Sequence, residues 1–429
     1  MRSRLLIDLL ASVFERRQPG RPETEEGSLE SLVATLLSER GEISGTRAAA
    51  SILDRYEALD DTGKRRFFRW LVGAHDIDAA SLGEAVRDYQ TVRNGDTLRL
   101  LLQLAEPRRQ EILRRLNRLD GATARLVRMR ADLLRLAPDE ADLQRADLDF
   151  QHLFKSWFNR GFLVLRRIDW GTPAHILERI IEYEAVHAIG SWEELRRRLQ
   201  PADRLCFAFF HPAMPDDPLI FVEVALTRSM PVSIQDLLAG NREVIDGHDA
   251  THAVFYSISN CQRGLAGISF GNFLIKQVVA EIGATLPNLD IYATLSPMPG
   301  FAEWLRTQDA GIHTPTATAQ ADSAADVPLD AGGLRAAAIR YLVGARRNDG
   351  FPVDPVARFH LGNGAMLEQV YAGADLTPRG MAGSYGVMAS YRYDLAAVDR
   401  NHERYSRDKQ VAVSRNLKAA LKAGRLRTA

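Results

Sequence analysis

Cysteine is scarce in this chain: Cys206 and Cys261 are the only two in 429 residues, and each sits inside an apolar run. So low a count leaves no room for a disulfide framework and gives no support to a zinc site. The two residues read as buried thiols in a reducing, cytoplasmic compartment. An excess of either charge is also missing, because 55 basic residues balance 55 acidic ones. Nothing in that balance draws the chain as a whole to nucleic acid or to an anionic membrane, although a locally basic site for a polyanionic ligand is compatible with it. No apolar run reaches the length of a bilayer span. Fixed-period repeats are absent, which argues against a solenoid. What is present is ordinary globular material, 46% hydrophobic and 26% charged, long enough for two domains or three.

The first residues, Arg2-Ser-Arg4-Leu-Leu-Ile-Asp8-Leu-Leu-Ala-Ser-Val-Phe-Glu15, are basic and amphipathic. Asp8 and Glu15 count against an organelle presequence, which is poor in acids, and favour a first helix. The C-terminal Arg427-Thr428-Ala429 is not a peroxisomal address. From residue 2 to about 160 the pattern is helical. Ala49, Ile52, Leu53, Tyr56 and Leu59 recur at three and four, as do Leu98, Leu101, Leu102 and Ala105, with breakers at Gly41, Asn94-Gly95, Pro107 and Gly121. Six to eight short helices in a bundle follow, a domain of residues 1–160 suited to self-association. His75 and His152 lie among them and read as surface or packing residues.

Beyond residue 160 the period changes. Leu205–Phe210, Leu219–Leu226, His252–Ser259 and Leu289–Leu295 are short β-branched or aromatic runs, with helical stretches at 191–199, 270–282 and 301–307. A mixed sheet flanked by helices is expected over 161–429, so the fold class is α+β with two domains. Residues 311–326 are small, polar and aperiodic, and read as a flexible loop. Several prominent residues have bland readings. His211 sits in a Pro-rich turn, Asp216 and Asp217 are solvated, His187 packs or caps, and Glu193 and Arg197 are spaced for an ion pair.

Three segments carry chemistry. Ala293-Thr-Leu-Ser296-Pro297-Met-Pro299-Gly300 reads as a strand that stops at a serine, because two prolines forbid further ladder pairing. In Asp354-Pro-Val-Ala-Arg-Phe-His360-Leu-Gly-Asn363-Gly364, a strand-like run ends at a histidine before a Gly-rich turn. Gln262-Arg263-Gly264-Leu-Ala-Gly267-Ile-Ser269-Phe-Gly271-Asn-Phe-Leu-Ile-Lys276 follows a strand and opens a helix. Its backbone N–H groups suit a pyrophosphate, with Arg263 or Lys276 assisting. On spacing alone, a turn with no ligand is slightly favoured.

In this order the segments resemble the malonyl-CoA decarboxylase family. The likeness runs through Cys206–Thr227, Phe255–Val279 and Gly380–Tyr393, and includes Phe255-Tyr-Ser-Ile-Ser259, Gly264-Leu-Ala-Gly267 and Phe273-Leu-Ile-Lys276. The resemblance implies a helical N-terminal domain and a C-terminal domain with a GCN5-related acetyltransferase (GNAT) fold. It implies malonyl-CoA as substrate, a CoA cradle of Gln262, Arg263, Gly264, Gly267, Ser269, Gly271 and Lys276, and a catalytic pair of Ser296 and His360. It places Tyr393 in the malonyl pocket and Ser257, Ser259, Asn363 and Gly364 on the substrate.

Loss of CO₂ from such a thioester leaves charge shared between C2 and the thioester oxygen, so no metal, biotin or pyridoxal phosphate is required. The protein supplies donors, a handle for the carboxylate and a proton. Ser296 is the donor to the carboxylate or the thioester oxygen. His360 is the general acid, on the strength of its ordinary pKa, and Tyr393 orients either group or donates to the enolate. Ser269 stands where many relatives have glutamate, so the partner that orients His360 is expected elsewhere, with Glu223, Asp354, a backbone carbonyl or water as candidates. The alternatives are an acyl-CoA N-acyltransferase on the same fold and a catalytically silent CoA sensor.

Overall fold

A computed structural model describes residues 27–38, 42–136, 140–268, 274–309 and 329–422. The basic N-terminal stretch and the loop expected at 311–326 lie outside the described residues. The chain divides into two compact units, residues 1–159 with 262–269, and residues 160–261 with 270–429.

The first unit holds eight α-helices among its described residues: α1 Leu29–Leu37, α2 Glu42–Glu57, α3 Asp61–Ala74, α4 Ala79–Thr91, α5 Gly95–Leu104, α6 Arg108–Leu116, α7 Ala122–Leu136 and α8 Ala141–Trp157. Short polar side chains start several of them by accepting otherwise unpaired N–H groups. Ser28 caps α1, Asp60 caps α3, Asp78 caps α4, and Asn94 forms a capping box with Thr97 at α5. Leu36, Phe67, Phe68, Leu126, Phe150 and Phe154 are buried. His75 ends α3 edge-on to Trp70, a packing role.

The second unit is built on an eight-stranded sheet in the order β1-β2-β3-β4-β5-β8-β6, with β7 also paired to β8. Its strands are β1 Val164–Ile168, β2 Arg204–Phe210, β3 Ile220–Thr227, β4 His252–Asn260, β5 Ile291–Thr294, β6 Ser296–Pro297, β7 Met366–Tyr371 and β8 Met388–Arg392. Around them lie α9 Ala174–Tyr183, α10 Trp192–Leu199, α11 Ile234–Leu238, α12 Leu274–Thr285, α13 Phe301–Asp309, α14 Ala331–Gly344, α15 Pro355–Gly362, α16 Pro378–Ser384, α17 Val398–Asp408 and α18 Arg415–Lys422. Among the described strands β4 and β5 are the pair that runs parallel, His252–Phe255 against Ile291–Thr294. After that the two strands part: Leu295 still bonds Phe255 at 3.0 Å, while Ser296 pairs with Ala389 of β8.

Two sequence expectations are corrected here. Pro297 still pairs with Met388, because β6 is an edge strand, where a missing N–H is tolerated. The run before His360 is helical, as α15. Asp354 caps that helix and Pro355 opens it, the arrangement that suits a helix start.

The glycine-rich segment begins in the helical unit. A Cβ on Gly264 would stand 1.8 Å from the backbone oxygen of Val127 on α7. Buried Arg130 of α7 donates to the carbonyls of Gly264 and Ala266 at 2.7 and 2.9 Å and pairs with Asp147. Gly264 is therefore a close-packing glycine. Gly264→Ala forces two backbones apart and is expected to cost on the order of 2–4 kcal/mol. Thermal unfolding followed by circular dichroism checks this. An unchanged melting temperature would show that the segment moves aside freely.

Candidate active site

The parting of β4 and β5 delivers Ser296 beside α15. Ser296 Oγ lies 3.0 Å from His360 Nε2, and His360 Nδ1 lies 2.9 Å from the Tyr393 hydroxyl. All three sequence-assigned catalytic residues thus meet in one hydrogen-bonded chain. Each is buried, at 5%, 3% and 2% exposure. The Ser296 hydroxyl donates to Thr294 Oγ1 at 2.8 Å, and Thr294 Oγ1 also accepts from the Tyr391 N–H. With the serine hydrogen directed at Thr294, Nε2–H of His360 donates to Ser296 and Nδ1 accepts from Tyr393. The Tyr391 ring stacks on the imidazole, centroids 4.7 Å apart.

Burial sets the protonation of this chain. It lowers His360 from the usual imidazole value to about 3 and pushes the Tyr393 hydroxyl well up, since each charged form loses its hydration. The resting imidazole is neutral, a correction to the expectation that its ordinary pKa makes it an acid at working pH. The partner on Nδ1 is Tyr393. Of the acids considered for that position, Glu223 pairs with Arg198 at 3.0 Å. Asp354 accepts from the Ala357 N–H and the Tyr341 hydroxyl, and burial raises it to about 6.

Ser296 and His360 open onto a cavity of about 260 Å³, lined also by Val186, Phe255, Tyr256, Ile258, Asn260, Pro297, Pro355, Val356 and Phe359. No Lys, Arg, Asp or Glu is among these lining residues. Ser257 and Ser259 are not on the lining. Strand alternation turns them away from Tyr256 and Ile258, and they donate to buried Glu184 at 2.8 and 3.5 Å. Asn363 donates to the Phe359 carbonyl, and Gly364, at φ +83°, packs closely against the Val398 carbonyl. These four residues hold the walls from behind.

The expected CoA cradle is dispersed in role. Gly264 is used in packing, whereas Gly267 has φ +75° and open space where a Cβ would stand. Arg263 lies in a short 3₁₀ turn that Gln262 precedes. Lys276 pairs with Asp399 at 2.5 Å. Ser269 and Gly271 lie outside the described residues. Sequence reasoning missed Thr294, Tyr391, Val186 and Phe359. Thr294 carried a usable signal, since a residue two before Ser296 on a strand shares its face.

A family profile described as the malonyl-CoA decarboxylase C-terminal domain matches residues 161–428, and one described as its N-terminal domain matches residues 75–158. The chain is 33% identical to mitochondrial malonyl-CoA decarboxylase of Anser anser anser over 345 residues, 72% of this chain and 68% of that protein. It is 32% identical to the Rattus norvegicus protein of the same name, over 72% of this chain and 70% of the relative. Among solved structures, malonyl-CoA decarboxylase from Rhodopseudomonas palustris is 47% identical with a TM-score of 0.84, covering 91% of this chain and 98% of that one. The corresponding structure from Agrobacterium vitis is 49% identical over the same shares, also with a TM-score of 0.84.

The buried imidazole makes a testable contribution to stability. The folded form resists protonation down to about pH 3, while the unfolded chain takes up the proton below about pH 6.5. Stability is therefore complete above the unfolded value and is lost as pH falls toward the folded one. By about pH 5 the loss from this residue is about 2 kcal/mol. Denaturant melts at about pH 7 and pH 5 should show a smaller acid loss in His360→Asn than in the wild type. Equal losses would place the acid sensitivity elsewhere.

Proposed function

The chain belongs to the malonyl-CoA decarboxylase family of carboxy-lyases, and we propose that it converts malonyl-CoA to acetyl-CoA and CO₂ through the chain Ser296–His360–Tyr393. The observation that carries this reading is the hydrogen-bonded chain at the wall of a cavity without charged lining residues. A malonyl carboxylate entering that cavity exchanges water for apolar walls and neutral donors such as Asn260 and, once it turns from Thr294, the Ser296 hydroxyl. Breaking the bond between C2 and the carboxyl carbon sends its electron pair to C2 and the thioester oxygen. The charge spreads, and the desolvated carboxylate leaves as neutral CO₂.

The proton follows from the low pKa of His360. Burial lowers it, and no neighbouring carboxylate offsets that loss of hydration. A bound malonyl carboxylate supplies that missing opposite charge and lifts the pKa, so substrate and proton enter together. Nδ1–H then donates to the Tyr393 oxygen. The imidazolium gives a proton to C2 and returns to the neutral form. One proton is consumed per CO₂ released, as the reaction requires, and the thioester is the electron sink, so the reading calls on no metal, biotin or pyridoxal phosphate. Tyr393 is a positioning residue. For the CoA pyrophosphate we retain the 262–268 segment, with Gly267 as its point of close approach.

Assembly between copies is part of the same reading. Helix α5 has no buried residue, yet Leu98, Leu100 and Leu102 are 39%, 43% and 63% exposed, beside exposed Val86 and Val92. Apolar surface of this kind on a helix pair suits a second copy of the helical unit. Two free buried thiols fit a cytoplasmic setting, while the animal relatives are named mitochondrial. Among the described residues no helix is long and apolar enough to cross a membrane.

His360→Asn and Ser296→Ala should each lower kcat roughly 10²–10⁴-fold with KM little changed, and the double variant should be little worse than the poorer single one. CO₂ release from malonyl-CoA alone measures this. Near-wild-type turnover in a folded single variant would remove the pair from the chemistry. Light scattering tests the assembly: an oligomer is expected at micromolar concentration, dissociated by Leu98→Lys with Leu102→Lys, and a monomeric wild type would overturn it.

A further inference from the structure

Another hollow in the second unit has the opposite character to the catalytic cavity. It measures about 540 Å³ and lies among β7, β8, α17 and residues 410–418, a size typical of small-molecule sites. Arg392, Arg400, Arg404, Arg415 and Lys418 line it, against two acids, Glu368 and Asp394. Among the described residues no carboxylate stands within 4.0 Å of any of the five cationic groups. Elsewhere Arg109, Arg125, Arg130, Arg135 and Arg198 each meet a carboxylate.

The cations cannot neutralise one another. Arg400 and Arg404 are four apart on α17, where like charges repel, and from Lys409 to Ala429 the sequence holds no aspartate or glutamate. In a chain of zero net charge, a concave surface with five unpaired cations is built for an anion. Arg392 is the last residue of β8, next to Tyr391, so pleating turns it to the sheet face opposite that tyrosine, which stacks on His360. Met366 and Glu368 share that face. The hollow is therefore separate from the catalytic cavity.

We propose that this hollow binds a phosphate-bearing anion of nucleotide size. The planar guanidinium forks of Arg400, Arg404 and Arg415 match phosphate oxygens, and an enclosed groove suits a small molecule better than an extended polymer. Two sources share this chemistry: the nucleotide end of a CoA thioester, which rests on the malonyl-CoA reading, and a separate nucleotide effector, which does not.

The test titrates adenosine 3′,5′-bisphosphate and inorganic pyrophosphate into the full-length protein by calorimetry. The wild type should bind at least one of them, more weakly as salt is raised. Arg400→Ser with Arg404→Ser, and separately Arg415→Ser with Lys418→Ser, should each weaken binding at least tenfold without lowering the melting temperature. Absent wild-type binding at millimolar ligand, or unchanged affinity in both variants, overturns the proposal. Steady-state kinetics separate the sources. If the hollow holds the substrate's own nucleotide, KM for malonyl-CoA rises at least tenfold in both variants while KM for malonyl-pantetheine stays put. If the anion is a separate effector, both KM values stay put and only the calorimetric signal is lost. A protein that released no CO₂ would fail the decarboxylase reading and leave the calorimetric result intact.

Discussion

The hydrogen-bonded chain of Ser296, His360 and Tyr393 depends on where one parallel ladder stops. β4 and β5 stay together for four residues, His252–Phe255 with Ile291–Thr294, and the Leu295 N–H makes the last bond to β4. Leu295 is fully buried at the fork, packed with Tyr256 and Met388. Past it, β4 runs on to Asn260 with its outer edge facing the cavity, while Ser296 crosses to β8 and into reach of α15. Two more rungs of pairing would close the cavity onto which Ser296 and His360 open. Thr294 joins this constraint to the chemistry, holding Ser296 through one hydroxyl and β8 through the Tyr391 N–H.

A polar row inside the sheet supports the same cavity from behind. Cys206, Glu223 and Ser257 are register partners across β2, β3 and β4. Over them lie Arg198, paired to Glu223, and Glu184, which accepts from Ser257 and from the backbone of Val186 and His187. Glu184 thereby fixes the turn that sends Val186 into the cavity wall. Arg379 of α16 grips the same turn at the Ala185 carbonyl. Buried charges with such partners are costly to leave half-paired, so the turn has little freedom to move.

Much of this was legible from residue order. The change of period near residue 160 separates helices from strands, and Ser296, His360 and Tyr393 do meet. Local signals fail where two readings of one segment compete. Val356–His360 looks like a strand by its apolar content, but the Asp354–Pro355 start converts it to a helix. Ser257 and Ser259 belong to a segment that touches the cavity, yet pleating gives the lining to Tyr256 and Ile258. Gly264 was read as room for a ligand and is room for Val127. Val186 had no sequence signal, because its place comes from Glu184, which is distant in sequence from the serines it grips.

The uncharged lining of the cavity beside Ser296 and His360 also bears on the end of the proposed reaction. A site that gives a carboxylate only neutral donors and apolar walls holds the acyl group more comfortably after CO₂ has gone than before, since acetyl brings no charge to desolvate. On the proposed reading, the poor solvation that favours bond breaking also retains the product. Acetyl-CoA therefore competes, on that reading, with malonyl-CoA for this one cavity.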